Sequence, residues 1–403
     1  MNSNNIVASP SGTSALTASA DFSTEKTVPA VQKHLPALDG IRGIAALMVM
    51  VFHYLERKQS LLANTPYASL LKFSALGQTG VDLFFVLSGF LITRILLKAK
   101  FRKNFFSVFY ARRMIRIAPL YYFYLILIFL ILPVLAGEAV PEFSRTWYWW
   151  LHLQNLAYTF SWPAEGPSFY WTLAVEGHFY LVWPLLVYFL PKRKIAIVSA
   201  FLIVGSFLLR LFMLSKGWDV FYFTLTRLDA LSLGALLAVF EPYLLTKTAR
   251  NRRLFMSLFF LVGIPLGLIF LKAGGAGATW VLAVKYPMTA LVYTALIGFA
   301  VTSLDGSILR RVCESRSLCF LGAISYGLYV YHLLCFQWFD QLFPNEQPFL
   351  FMLPAFAFSV LVAYASFHLI EKPFLKLKRF FKYAKVESDH SALAAKPAKI
   401  SAS

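Results

Sequence analysis

Between Leu38 and Ile370 the chain offers one apolar stretch after another, each about as long as a lipid bilayer is thick, with little polar sequence between them. A helix needs roughly 17 to 25 mostly apolar residues to cross the hydrocarbon core. Ten segments meet that demand: Leu38–Tyr54, Thr79–Leu97, Ile117–Ala136, Thr172–Leu190, Ile195–Met213, Val220–Phe240, Leu254–Leu271, Trp280–Thr302, Leu318–Phe339 and Phe349–Ile370. With 59% hydrophobic and 14% charged residues, the chain is too apolar for a water-soluble domain of 403 residues. The expected fold is therefore all-α and integral to the membrane, with about ten transmembrane helices in one domain over residues 37–371. Residues 1–36, rich in Ser, Thr, Asn and Ala, read as a disordered cytoplasmic tail, and 372–403 as a basic cytoplasmic tail. Cys313, Cys319 and Cys335 are too few and too badly spaced for a disulfide framework or a zinc site, so no metal is expected.

The formal net charge of +19 first raises the question of a nucleic-acid partner. Its distribution answers otherwise. If the amino terminus is cytoplasmic, the inner loops hold 24 basic residues and the outer connections six. The positive-inside rule then places both termini in the cytoplasm. Cations spread over several loops of one membrane face do not form a nucleic-acid groove, so none is expected. The longest outer connection, Gly137–Tyr170, carries Trp147, Tyr148, Trp149, Trp150 and Trp162. Such a cluster reads first as an interfacial belt or a helix lying on the surface, and second as a platform for sugar rings.

Ionisable groups inside spans are costly, which makes each one either a structural pair or a site. His53 lies about 22 Å along the first span at 1.5 Å per residue. Asp82, Glu176, His178, Arg227, Asp229 and His332 fall at similar depth from the outer face, with Tyr326, Tyr329 and Tyr331 near His332. One layer of this kind predicts a polar cavity opening outward, lined by Asp82, His178, Asp229 and His332; buried pairs such as Arg227 with Asp229 or Asp82 are the alternative. A neutral imidazole at His53 can take a proton from a hydroxyl, with a carboxylate such as Glu176 to orient it. Arg227 or Tyr326 could steady a developing oxyanion. On the opposite face Arg113 and Arg116, three residues apart, share a helix side and could grip phosphates, with Arg112 beside them; lipid anchoring is the plainer reading. Ser88-Gly89-Phe90 lacks the glycine that a hydrolase nucleophile elbow needs, and Gly89 reads as a point of close helix approach.

Several motifs occur together and in order. Leu38-Asp39-Gly40-Ile41-Arg42-Gly43 runs on to Phe52-His53-Tyr54; Gly80-Val81-Asp82 leads into Leu87-Ser88-Gly89-Phe90; Tyr110-Ala111-Arg112-Arg113 leads to Arg116-Ile117-Ala118-Pro119. Trp171 to Glu176, Thr226-Arg227-Leu228-Asp229, Ser325-Tyr326-Gly327 and Glu371-Lys372-Pro373-Phe374 follow. The series resembles the membrane acyltransferase-3 family, whose members O-acylate polysaccharides, lipopolysaccharide, peptidoglycan, macrolides and related acceptors. That resemblance implies ten core helices in a bacterial inner membrane and an acyl-coenzyme A donor on the cytoplasmic side, acetyl-CoA by default. It also implies a carbohydrate or glycolipid acceptor outside, His53 as the family histidine, and Arg113 and Arg116, grouped with Arg42, as donor-binding arginines. One departure is Gly177-His178, where a Gln commonly follows the glutamate; His178 then tunes acceptor choice or replaces an amide hydrogen bond. The sequence ends about thirty residues after the last span, so transfer is expected to be completed within the membrane domain. A permease using the same cavity, and a scaffold within a polysaccharide assembly, are the competing readings.

Overall fold

The computed structural model describes residues 35–384 apart from 63–64, 274–277, 304–305 and 345–347. Of the expected tails, residues 1–34 and 385–403 lie outside the described residues. Ten long helices carry the fold: α1 (Pro36–Arg57), α2 (Gly80–Ala99), α3 (Phe105–Ile126), α4 (Trp171–Phe189), α5 (Lys192–Ser215), α6 (Leu228–Thr246), α7 (Thr248–Ala273), α8 (Thr279–Thr302), α9 (Ser325–Leu342) and α10 (Pro348–Ser366). No strand occurs among the described residues. Among the described residues nine helices are long and apolar enough to cross a membrane, and Arg316–Ala323 taken together with α9, bent by 76° at the join, has the length and composition for a tenth. These helices make the chain a multi-pass membrane protein, as its hydropathy predicts.

How much of each span is covered by protein sorts the helices into layers. Two-thirds of the window containing α2, and of that in α8, is buried, against 17% for α7 and 22% for α5. So α2 and α8 form the interior, while α5, α7 and α10 turn most of their apolar surface outward, where only lipid can match it.

Small residues permit the closest contact in this interior. A Cβ added at Gly89 of α2 would lie 1.9 Å from the Leu231 carbonyl oxygen of α6, and one at Gly234 of α6 would lie 2.1 Å from that of Val86. The two backbones therefore touch reciprocally, the small-residue packing that membrane helices use where burial alone cannot drive association. A second such contact holds α1 through Gly40, whose Cβ would fall 1.7 Å from the Cys313 carbonyl oxygen. Gly89→Ala is expected to lower the stability of the detergent-solubilised protein by about 1–3 kcal/mol, since backbone rather than a flexible side chain must shift. An unchanged unfolding temperature would show that the pair tolerates separation.

Two boundaries differ from the hydropathy reading. α3 begins at Phe105, twelve residues before the expected Ile117, so Arg112, Arg113 and Arg116 lie within the helix and not at its opening. The basic residues delay the apolar signal without interrupting the helix. The sixth span begins at Leu228 and not Val220; Val220–Phe223 is non-helical, followed by a 3₁₀ turn over Thr224–Thr226. Its aromatic residues are as apolar as a helix, but its carbonyls bond elsewhere: Val220 accepts from Thr226 Oγ1 at 2.7 Å, Tyr222 from Asn155 Nδ2 at 3.3 Å, and Thr226 from Arg210. Irregular backbone is tolerated at such depth when protein groups satisfy it. Arg94, inside the expected second span, is buried in α2 and donates to Glu241 at 2.8 Å.

The tryptophan-rich connection folds into two short helices, Phe143–Trp150 and Gln154–Thr159. Tyr121 and Tyr122 of α3 donate to the carbonyls of Trp149 and Trp150 at 2.6 and 3.2 Å, and Trp149 is fully buried. Most of this cluster is a packed cap on α3, and Trp162 is left 41% exposed.

Candidate active site

Two cavities meet in the middle of the bundle. The first, of about 140 Å³, is lined by Arg42, Arg113 and Arg116 together with Ser88, Glu176, Tyr180 and Tyr326. The second, of about 150 Å³, is lined by His53, Glu56, Gln78, Ser168 and Phe169. Val81 and Tyr329 line both and so form the septum between them. Tyr329 is held across this junction: its hydroxyl donates to the Phe169 carbonyl at 2.5 Å and accepts from Thr172 Oγ1 at 2.6 Å.

At the histidine end, His53 Nδ1 lies 2.9 Å from His332 Nε2. Hydrogen-bond logic fixes the proton positions. His332 Nδ1 faces the carbonyls of Tyr329 and Leu328 at 2.8 and 3.1 Å, and carbonyls only accept, so Nδ1 must carry the hydrogen. In the neutral ring Nε2 is then a bare acceptor, and His53 Nδ1 must donate to it. That leaves the lone pair of His53 on Nε2. His332 is fully buried while His53 lines its cavity. The partner of His53 is thus an imidazole supplied by α9, not Glu176.

Glu176 belongs to the arginine end. Its Oε1 accepts from Ser88 Oγ at 2.5 Å, and Ser88 in turn accepts from the Tyr180 hydroxyl at 3.0 Å. Arg113 lies over the Tyr180 and Phe109 rings, 5.4 and 5.9 Å from their centroids. Arg116 faces Glu371 at 3.5 Å, and Arg42 faces Asp39 at the same distance. Arg112 is taken up elsewhere, since its Nε donates to the Phe381 carbonyl at 2.6 Å. The adjacent backbone is tied to the start of α3 by Asn104, which donates to Lys382 O at 2.8 Å and accepts from Ala384 N at 2.9 Å. Of the basic tail expected from 372 onward, the part up to Ala384 is therefore laid against the helix.

Other expected cavity residues turn out to hold the scaffold. Arg227 Nη2 donates to Asp82 Oδ1 at 2.5 Å and its guanidinium carbon sits 4.2 Å from the Tyr286 ring centroid, so both residues are paired; they line a small side cavity beside Gln78 and Lys285. Asp229 lines neither of these two cavities: it pairs at 2.6 Å with Arg210, a fully buried arginine of α5. His178 Nδ1 meets Thr224 Oγ1 at 2.8 Å, and Asn155 Nδ2 donates to the same hydroxyl at 2.8 Å, so His178 braces the non-helical segment and lines neither cavity. Tyr326 lines the arginine cavity, but its hydroxyl donates to the Ile117 carbonyl at 2.9 Å, away from His53. Ser88, Tyr180 and Arg210 were not expected; Arg210 alone had a legible signal, a cation inside an apolar span. His152 was also passed over. Burial pushes its imidazole down to about 4, with His178 adding to the effect, and the neutral ring stacks on Tyr121 at 4.1 Å.

A family profile described as an acyltransferase domain matches residues 35–368, which takes in all ten long helices and both cavities. The chain belongs to this acyltransferase family. Similar members of known annotation are an O-acetyltransferase OatA of Staphylococcus aureus, 26% identical over 384 residues, covering 90% of this chain and 60% of the relative. The peptidoglycan O-acetyltransferase OatA of Listeria monocytogenes is 28% identical, with 90% and 59% covered, and a Bacillus subtilis protein named as a putative peptidoglycan O-acetyltransferase, YrhL, is 28% identical, with 85% and 55% covered. The chain spans about 60% of the length of the curated relatives it matches. No solved structure matches it. With its apolar helices, membership in this acyltransferase family makes the chain a multi-pass bacterial membrane protein. Among the described residues no group of His, Cys, Asp and Glu could hold a metal ion.

Proposed function

We propose that this acyltransferase moves an acetyl group from acetyl-coenzyme A, bound from the cytoplasm at the arginine end, to a hydroxyl of an extracytoplasmic carbohydrate at the histidine end. The observation that carries the reading is the meeting of the two cavities at Val81 and Tyr329, with guanidinium groups on one side and an imidazole lone pair on the other. Arg113, Arg116 and Arg42 offer planar donors to phosphate oxygens. From Arg42 to His53 along α1 is about 16 Å at 1.5 Å per residue, a span that a long donor arm must bridge. His53 Nε2 takes the proton of the acceptor hydroxyl as its oxygen attacks the thioester carbonyl. The C–O bond forms, the C–S bond breaks, and the departing thiolate is protonated. The bond to His332 keeps the lone pair of His53 on Nε2 and spreads the charge of the imidazolium that forms. Both termini are then cytoplasmic, and the membrane is the bacterial inner membrane. Peptidoglycan, the acceptor named for two of the relatives, is the first acceptor to test.

The test is transfer of label from acetyl-coenzyme A to cell-envelope glycan in membranes carrying wild type, Arg113→Ala, or Arg113→Ala/Arg116→Ala. Loss of the charge-assisted bonds should raise the donor KM roughly 10- to 100-fold in the double variant, and less in the single. Arg116 faces Glu371, so the single variant guards against a folding effect. Transfer that saturates at the same donor concentration in all three proteins would sink the donor site.

A further inference from the structure

Beside the His53 cavity lies a hollow of about 630 Å³, larger than either cavity described above, and it shares Phe52, Glu56, Gln78, Phe221 and Tyr222 with the His53 cavity. A hollow of this volume is ample for one or two sugar rings, whereas an acetyl group needs a small fraction of it. Its walls mix flat aromatic faces with side chains that exchange hydrogen bonds with hydroxyls. Trp218 is 53% exposed and lines the hollow, with Asp219 next to it and Lys285 and Gln59 also in the wall. This is the composition a carbohydrate site uses: an aromatic face against the C–H face of a pyranose, and carboxylate, amide and ammonium groups for its ring hydroxyls.

The aromatic wall is also fixed in place. Asp219 Oδ1 accepts from Phe221 N at 2.6 Å, closing a tight turn, and the Phe221 ring packs 4.8 Å from that of Trp171. Tyr222 lies 5.1 Å from Tyr158, and its carbonyl is bound by Asn155. A preformed wall binds a ligand with little further ordering cost.

We infer that this hollow is the acceptor subsite, and that Trp218 and Asp219 hold a pyranose ring of the glycan so that one of its hydroxyls reaches His53. The inference rests on the acyl transfer reading above and assigns the acceptor to the segment between α5 and α6. It sets aside the tryptophans before α4, which the sequence offered as a sugar platform. Of these Trp162 is 41% exposed, lines neither the hollow nor the His53 cavity, and serves as the comparison.

The decisive measurement is steady-state transfer from labelled acetyl-coenzyme A to muramidase-solubilised peptidoglycan fragments, varying the fragments at saturating donor. Trp218→Ala should raise the acceptor KM about tenfold, as loss of one aromatic ring contact implies, with the donor KM unmoved. Trp218→Phe should recover most of the loss. Asp219→Asn, which keeps the oxygen that accepts from Phe221 N, should raise the acceptor KM severalfold, and Trp162→Ala should not change it. An acceptor KM that responds to Trp162→Ala and not to Trp218→Ala overturns the subsite while leaving acyl transfer standing. Wild-type protein that consumes acetyl-coenzyme A yet labels no fragment overturns the peptidoglycan-type acceptor, and the subsite with it.

Discussion

His53→Ala is expected to reduce acyl transfer by a factor on the order of 10² to 10⁴, the range over which a positioned general base acts. The variant should insert and fold as wild type does, because His53 is only partly buried and its one described polar partner is His332. The sharper test lies in the second ring. His332→Ala removes the acceptor that holds the His53 hydrogen on Nδ1, so the lone pair would be shared between the two nitrogens and transfer should fall by about tenfold or more. His332→Gln can restore an oxygen acceptor for that N–H and should recover part of the loss. Measured kcat with saturating donor and acceptor separates the outcomes: equal activity in Ala and Gln variants would mean that His332 only fills space, and full activity in His53→Ala would remove the base.

Asp82→Ala should cost about 3–5 kcal/mol of stability, since it leaves a buried guanidinium without its carboxylate. Arg227 is 2% exposed, and its Nε and Nη1 have no hydrogen-bond partner among the described residues, so it depends on Asp82 and on the rings around it. Replacing both members, Asp82→Ala with Arg227→Met, removes the unmatched charge and should be less damaging than the single change. Thermal unfolding of wild type, Asp82→Ala, Arg227→Met and the double variant in one detergent decides it. A double variant as unstable as the sum of both singles would show that the two residues act apart and that the short contact carries little coupling.

Hydropathy located the crossings well because the bilayer imposes a length that a one-dimensional scan can measure. It failed where composition and conformation part company. Val220–Thr226 is aromatic enough to pass for helix, yet its backbone is committed to Asn155, Arg210 and Thr226. The cluster of ionisable residues was visible as a layer, but which of them pair was not. His53 and His332 are 279 positions apart, and Asp82 and Arg227 are 145 apart. Glu176 shows the limit most clearly. Depth along its own helix placed it beside His53, whereas the tilt and packing of α2 and α4 turn it toward Ser88 and the arginines. Arg210 escaped notice because the flanking sequence is so apolar that the span scores well despite it.

The glycine contacts set one more limit on this protein. Arg42 and His53 are carried by a single helix, α1, whose Gly40 lies against the Cys313 backbone, while α2, which carries Ser88 and Val81, is locked to α6 by Gly89 and Gly234. Neither helix can slip by a turn without backbone collision. On the proposed reading, the interval between the guanidinium end and the imidazole end is thus built in as a gauge, and a donor arm has to match it to bring its thioester to His53.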